Sequence, residues 1–353
     1  MNDYQIFNNI IFQQNQYNIG RANIIIIGAG GAGNNTIDRL MENNIYGAHC
    51  VAVNTDQQHL NSIKAHYKLL IGKNVTRGLG TGGHPEIGRV AAEESKNELN
   101  MILKGADLVF ITCGLGGGTG TGSSPIIAEL ANKTGAIVVG VVTMPFKTEK
   151  GRIEKAKQGL IQLKKFLNTL VIIDNNKLLE IAPNLPIVDA FSIADEVLAT
   201  MVKGITETIS QRSLINLDYA DVRSILTAGG MSIVGIGESS LNSDHPAEEA
   251  VEDALHSPLL QLDISGATGA LIHVSGGNNL TLRDVHRVSE IITSNMAEKS
   301  LVIIGARIDP SLEGYLRVML LLTGIKSPQI VGSIDSYSDK DFRKNPFLRT
   351  FIS

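Results

Sequence analysis

The chain has 353 residues, of which 43% are hydrophobic and 19% charged. That is enough apolar material for a sizeable core, and it excludes a largely disordered chain. Lys plus Arg (31) falls short of Asp plus Glu (35), a net charge of −4, which disfavours a duplex nucleic-acid binder, a class that is usually basic. The two cysteines, Cys50 and Cys113, form no CxxC pair. Neither a zinc ribbon nor a redox couple is indicated, and lone cysteines suit a reducing compartment. No basic-then-apolar leader opens the sequence, and no apolar run approaches the ~18 residues of a membrane helix. The chain is therefore expected to be soluble and cytoplasmic, without direct membrane insertion, and its length suits two domains of roughly 150 residues each.

Residues 1–20 stand apart, nine of the twenty being Asn or Gln. They read as a mobile extension or, through Ile6, Phe7, Ile10, Ile11 and Phe12, as a short docked helix. From residue 23 onward strand and helix signals alternate. Apolar runs at 23–27, 50–53, 108–112, 137–142 and 170–173 predict buried strands. Helical spacing at 34–43, 86–103, 125–132 and 152–166 predicts the helices between them. Such alternation predicts a Rossmann-like α/β unit, a parallel sheet covered on both faces. A long helix is predicted over 189–209. Beyond it, strand runs at 231–236, 270–274 and 301–306 alternate with helical segments at 248–255 and 282–296, predicting a second, smaller α/β unit. Periodicity fades after residue 332.

Three glycine clusters punctuate the first unit. Gly28-Ala-Gly-Gly-Ala-Gly33 follows a strand and opens a helix, and free N–H groups at a helix start favour an anion such as phosphate. Alone it suggests a dinucleotide site, yet the ribose-binding acid that such a site wants is missing: Val53 and Asn54 end the second strand, and Asp56 comes late. Gly114-Leu-Gly-Gly-Gly-Thr-Gly-Thr-Gly122 is a second run of accessible N–H and hydroxyl donors able to wrap a polyphosphate. The third is Arg77-Gly-Leu-Gly-Thr-Gly-Gly-His-Pro85, whose proline suits a helix start; His84 carries no assigned chemistry. The GxxxxGK[ST] pattern is absent. The clusters together therefore suggest a nucleotide site outside the P-loop class.

These residues resemble the FtsZ branch of the tubulin/FtsZ family, over about residues 23–329. Gly116-Gly-Gly-Thr-Gly-Thr-Gly122 resembles the tubulin signature loop, and Thr143-Met-Pro-Phe146 the next nucleotide loop. Asn216-Leu-Asp-Tyr-Ala-Asp221 resembles the synergy loop of the second domain, and Gly229-Gly-Met-Ser-Ile-Val-Gly-Ile-Gly-Glu238 continues the match. The wording of the synergy loop suggests the archaeal branch. The resemblance implies a GTP-binding domain over 21–187, a central connecting helix over 188–212, an activation domain over 213–332 and a tail over 333–353.

It also implies roles. Gly31, Ala32, Gly33, Asn34 and Asn35 line the phosphates and sugar. Gly117, Gly118, Thr119 and Gly120 hold the β- and γ-phosphates, with Thr143 nearby. Glu149 and Arg152 reach the ribose, here spaced three apart where the family usually has four. Phe191 stacks on the base. Asp195 takes a place where many members have Asn; a carboxylate there can accept both N1–H and the 2-amino group of guanine, which adenine does not offer. By its own sequence context alone, without the resemblance, Asp195 reads first as a solvated helix residue. Asn216, Asp218 and Asp221 complete the neighbouring subunit's site, although Asp near a helix start is also an ordinary N-cap.

The function so implied is a GTPase that polymerises head to tail and organises cell division at a mid-cell ring. Mg²⁺ accompanies the phosphates, and no dedicated protein metal site is expected. The tail 344–352 reads as a peptide for a membrane-tethering division protein or as a surface-packed end. A filament protein of cell shape and, less favoured, an NAD-dependent oxidoreductase are the alternatives.

Overall fold

The computed structural model describes residues 22–176, 187–210, 215, 218–227, 231–255, 267–297 and 299–325. The extension 1–20, the tail 333–353 and Asn216 lie outside the described residues. The first unit runs β1 (Ile24–Ala29), α1 (Gly30–Glu42), β2 (Ala48–Asn54), α2 (Gln57–Ser62), β3 (Tyr67–Leu70) and α3 (Lys73–Thr76). It continues with α4 (Pro85–Glu94), α5 (Lys96–Leu103), β4 (Leu108–Gly114), α6 (Thr119–Lys133), β5 (Ile137–Met144), α7 (Lys150–Lys164) and β6 (Thr169–Asp174). Then come the long helix α8 (Ile187–Ser210), α9 (Tyr219–Thr227), β7 (Met231–Ser240), α10 (Pro246–Leu255), β8 (Gly269–Gly276), α11 (Leu282–Ser294), β9 (Leu301–Ile308) and β10 (Tyr315–Ile325).

All strands join one sheet, in the order β3-β2-β1-β4-β5-β6-β7-β10-β8-β9. The strands from β3 to β7 pair in parallel, as do β8 and β9, while β10 runs antiparallel to both its neighbours. The second unit is thus an extension of the first sheet. Among the described residues, β6 meets β7 through Leu170↔Met231 and Val171↔Ser232.

Burial explains why the strands are apolar throughout. Every residue of β1 is buried, as a parallel strand covered on both faces must be. Ile25, Ile27, Val109 and Ile111 face the layer of α4 to α7. The alternating Ile24, Ile26, Leu108 and Phe110 face α1, α8 and α9. Helix α8 gives Leu198, Met201, Val202 and Ile205 to that second cluster, which also holds Leu271, Met319 and Leu321 of the far strands. One helix therefore packs under both parts of the sheet. A third cluster buries α10 and α11 on the opposite face of β8 and β10.

Two predicted helices differ. The run 86–103 is two helices, because Ser95 leaves helical geometry (φ −100°, ψ 20°) and its hydroxyl accepts from Gly72 N–H at 3.2 Å. The run 125–132 begins earlier, at Thr119, with Pro125 inside the helix. Cys50 and Cys113 are buried free thiols, pushed by burial up to about 12 and about 11. Among the described residues no helix is long and apolar enough to cross a membrane.

Candidate functional site

The strand order reverses at β1, whose two neighbours are β2 and β4. Open α/β sheets bind ligands at such a point, in the crevice beyond the carboxyl ends of the strands. A cavity of about 550 Å³ lies there. The helices that open onto it lack capping side chains: Ala29 before α1 and Gly118 before α6 make no side-chain cap bond, and neither first turn holds an acid. Their free N–H groups and the positive ends of their dipoles therefore stand available to an anion.

The glycines divide into two kinds. A Cβ on Gly30 would come within 2.7 Å of Gly120 N, and one on Gly120 within 2.9 Å of Ala29 O, so the first and second glycine loops pack backbone on backbone. A Cβ on Gly118 would lie 2.8 Å from His84 N, and one on Gly116 2.8 Å from Arg152 O, so the second loop is wedged between the third loop and α7. Gly31 and Gly117, by contrast, both line the cavity, and a Cβ there would meet nothing within 4 Å. Packing does not require glycine at these two places; a ligand approaching the backbone would.

Three hydroxyls meet at the same end. Thr119 Oγ1 lies 2.6 Å from Thr55 Oγ1 and 3.5 Å from Thr81 Oγ1, and Thr81 and Thr119 line the cavity. The first loop contributes Gly31, Ala32 and Asn35 to the lining, and the second Gly117, Gly118, Thr119 and Gly120. Thr143, Glu149, Arg152 and Asp195 close the other sides. Arg152 pairs with Glu149 at 2.7 Å, and Glu149 also accepts from Phe146 N–H at 3.1 Å. Asp195 comes from α8; Thr36 donates to it at 3.5 Å. Burial raises its carboxyl to about 6, against the smaller lowering effects of Thr36 and Arg39.

Gly33 and Asn34 are not in the lining. Gly33 packs against β4, where a Cβ would collide with Thr112 O. Asn34 is fully buried. With its amide oriented so that donors meet acceptors, its nitrogen lies 2.8 Å from Gly28 O and 3.2 Å from Gly30 O and Val53 O, and its oxygen accepts from Asn54 Nδ2 at 2.9 Å. That leaves it a clip between β1 and β2. Phe191 lies on α8 one turn before Asp195, and its side chain lies outside the described residues. Asn175, just past β6, was not anticipated from sequence: it lines the cavity with a buried amide oxygen that has no partner. Its only signal is structural, since an Asn ending a strand is unremarkable in sequence. Where a dinucleotide site would carry an acid, Asn54 instead accepts from Thr55 N–H at 2.9 Å, and Asp56 caps α2 through His59 N–H at 3.0 Å.

Asp218 and Asp221 are remote from the cavity. Asp221 N–H donates to Asp218 at 2.8 Å and Asp218 N–H to Asp221 at 3.3 Å, a reciprocal cap on α9. Tyr219 OH between them donates to Asp107 O at 2.7 Å. Asp107 precedes β4, whose last residue, Gly114, lines the cavity. The length of β4, seven residues, separates the two places by about 20 Å at ~3.3 Å per residue. Among the described residues no group of three or more His, Cys, Asp or Glu could hold a metal ion.

The family model for the GTPase domain of the Tubulin/FtsZ family matches residues 23–183, and that for the C-terminal domain of the FtsZ family matches 230–326. The chain is 55% identical over 314 residues to cell division protein FtsZ 2 of Methanocaldococcus jannaschii, covering 89% of this chain and 83% of that protein. It is 53% identical to cell division protein FtsZ 1 of Pyrococcus furiosus, covering 88% and 83%. A solved empty FtsZ dimer of M. jannaschii superposes with a TM-score of 0.83 at 50% identity, covering 90% of this chain and 92% of that one. CetZ2 from Haloferax volcanii, solved as a GTPγS-bound protofilament, shares the fold at 22% identity with a TM-score of 0.74, covering 91% and 99%. With its glycine cradles, uncapped helix starts and this likeness to archaeal relatives, the chain belongs to the FtsZ branch of the tubulin/FtsZ family of GTPases.

Proposed function

We propose that this chain is a cell-division GTPase that assembles head to tail and hydrolyses GTP between subunits. One observation carries the proposal: the cavity and the Asp218–Asp221 pair lie at opposite ends of the same parallel strands. One chain cannot bring them together. A second copy stacked along the strand direction can present its aspartates to the open cavity.

In this assignment the residues near 21–187 bind the nucleotide, α8 with its flanks (188–212) spans the molecule, and 213–332 supplies the activating end. The phosphates rest on the N–H groups at Gly31, Ala32, Gly117, Gly118 and Gly120 and on the Thr119 hydroxyl. Gly33 and Asn34 shape the first loop from behind. Asn35 and Thr143 border the phosphates and sugar, and Glu149 and Arg152 the ribose. Asp195 and Asn175 face the base, with Phe191 as its stacking partner. Mg²⁺, when bound, neutralises phosphate charge; as a hard cation it takes oxygen ligands and keeps waters, so phosphate oxygens suffice without a protein cage.

The reaction asks little covalent work of the protein. A water oxygen attacks the γ-phosphorus in line, and the bond from that phosphorus to the β–γ bridging oxygen breaks. GDP leaves with the electron pair, and the water's proton passes through a carboxylate to the phosphate formed. Asp218 and Asp221 of the neighbouring subunit orient that water, and Asn216 hydrogen-bonds it or the γ-phosphate. Each aspartate gives one oxygen to the α9 cap, and the second oxygen of each is the one assigned to the water. Assembled filaments would form the mid-cell division ring, joined to the membrane by a tethering division protein at the tail 333–353. The test is Asp221→Ala: GTP binding should persist while turnover collapses. Turnover equal to the parent chain would sink the shared site.

A further inference from the structure

The third glycine loop reaches the cavity through Thr81. Arg77, Gly78, Gly80, Gly82 and Gly83 all have left-handed backbone, with φ between 53° and 81°. Its first half is tied to the body of the domain: Gly80 N–H donates to Thr55 O and Gln57 N–H to Gly78 O, both at 3.0 Å. Its second half, the Gly82–Gly83 turn, stands in open space. A Cβ on Gly83 would meet nothing within 4 Å, and one on Gly82 only the His84 ring at 3.7 Å. Among the described residues, one side chain from outside the loop holds this turn. Lys155 of α7 donates its ammonium to Gly83 O at 2.7 Å.

Two further observations give that contact a consequence. Lys155 sits three residues after Arg152, which places the two side by side on α7, and Arg152 lines the cavity. The ionisable lining is also poor in positive charge: Glu149 and Asp195 stand against Arg152 alone, and Arg152 is already paired with Glu149 at 2.7 Å. The hydrogen bond of Lys155 goes to a neutral carbonyl, which does not cancel its charge.

We propose that Lys155 is a positioning residue for GTP hydrolysis. Its ammonium pins the Gly82–Gly83 turn, holds Thr81 beside Thr119 at the phosphate end of the cavity, and sets a positive charge against that wall. The proposal rests on the GTP assignment above. Freed of this clamp, the loop samples open positions, and the phosphate end is assembled for only a fraction of the time. The nucleoside end, formed by Asp195, Asn175 and Glu149, is untouched.

The test compares the full chain with Lys155→Met and Lys155→Arg. Hydrogen exchange without nucleotide comes first: the amides of Gly80 and His84, which donate to Thr55 O and Thr81 O, should exchange about tenfold faster in Lys155→Met, as for loss of one charge-assisted hydrogen bond. Single-turnover and steady-state assays come second. kcat should fall about tenfold, KM for GTP should change by less than about threefold, and GDP affinity should hold. Lys155→Arg, which still donates and stays charged, should recover most of both losses; a merely structural loss of packing would not split kcat from GDP binding. Unchanged exchange in Lys155→Met, or faster exchange with kcat within about twofold of the parent, overturns the proposal. If Lys155→Met fails to fold, Lys155→Ala, which likewise removes the donor, carries the same expectation. A parent chain that binds no GTP would overturn the GTP assignment instead, and the exchange result, read without nucleotide, separates the two failures.

Discussion

The two ends of the parallel strands are built differently. At the carboxyl ends, α1 and α6 start without caps, and Gly31 and Gly117 leave space that no protein atom fills. At the amino ends, α9 is capped twice over by Asp218 and Asp221, and Tyr219 ties it to Asp107. One end leaves its hydrogen-bonding capacity unspent and so waits for a ligand. The other has its helix start satisfied from within, each aspartate giving one carboxylate oxygen to the cap. A receptive end and a presenting end on one chain, about 20 Å apart, make a unit that works only when stacked.

The sharpest way to break this contrast is to remove the presenting group. Asp221→Ala should reduce GTP turnover by about 10²-fold or more, the scale of a lost general base or water-orienting group, with GTP affinity unchanged. The same change should cost about 1 kcal/mol of stability through the lost cap, measurable by urea unfolding. A stability loss without a turnover loss would leave Asp221 a cap and nothing else.

The receptive end is probed by its two kinds of glycine. Gly31→Val adds a side chain to space that the fold does not use, so GTP affinity should fall by about tenfold or more while the melting temperature holds. Gly33→Ala pushes a methyl into Thr112 O and should destabilise by about 1–3 kcal/mol, as overpacking does. Calorimetry on both variants, with and without GTP, checks the pair. Equal effects on stability would erase the distinction between cradle and packing glycines.

A smaller effect follows from Asp195, whose carboxyl is raised to about 6 by burial. If the ionised form accepts the guanine donors, binding below that value must first expel a proton. GTP affinity should then weaken by about tenfold between pH 7 and pH 5. The fold responds in the opposite sense. An acid raised in the folded state binds its proton more readily there than in the unfolded chain, so this group's contribution to stability grows as pH falls from about 6 toward the unfolded value of 3.8. Asp195→Asn should flatten both profiles; an unaltered affinity profile would remove Asp195 from the base site.

Much of this was legible in the residues. Strands such as Ile24–Ala29 and Leu108–Gly114 announce themselves, because a parallel strand covered on both faces must be apolar at every position. The three glycine clusters mark where strands turn into helices or loops beside the cavity. What escaped was set by tertiary context. Ser95 looks helix-compatible, and only its bond to Gly72 N–H shows why the helix breaks there. Tyr67–Leu70 is too short for a pattern to register. Tyr315–Ile325 is an apolar run that periodicity alone cannot assign to strand or helix. Within the site, a GxGxxG pattern does not reveal that Gly33 and Asn34 face inward while Gly31 faces the cavity, since that division depends on what packs behind the loop. Asn175 has no local signal and emerges only through its unpartnered oxygen.

The most direct measurement is GTP turnover per subunit against protein concentration, with Mg²⁺ present. A site completed between subunits predicts negligible turnover below a threshold concentration and a steep rise above it. A rate per subunit that stays flat from dilute to concentrated protein would mean that each chain hydrolyses alone, and would contradict the separation of cavity and aspartates on which the account rests.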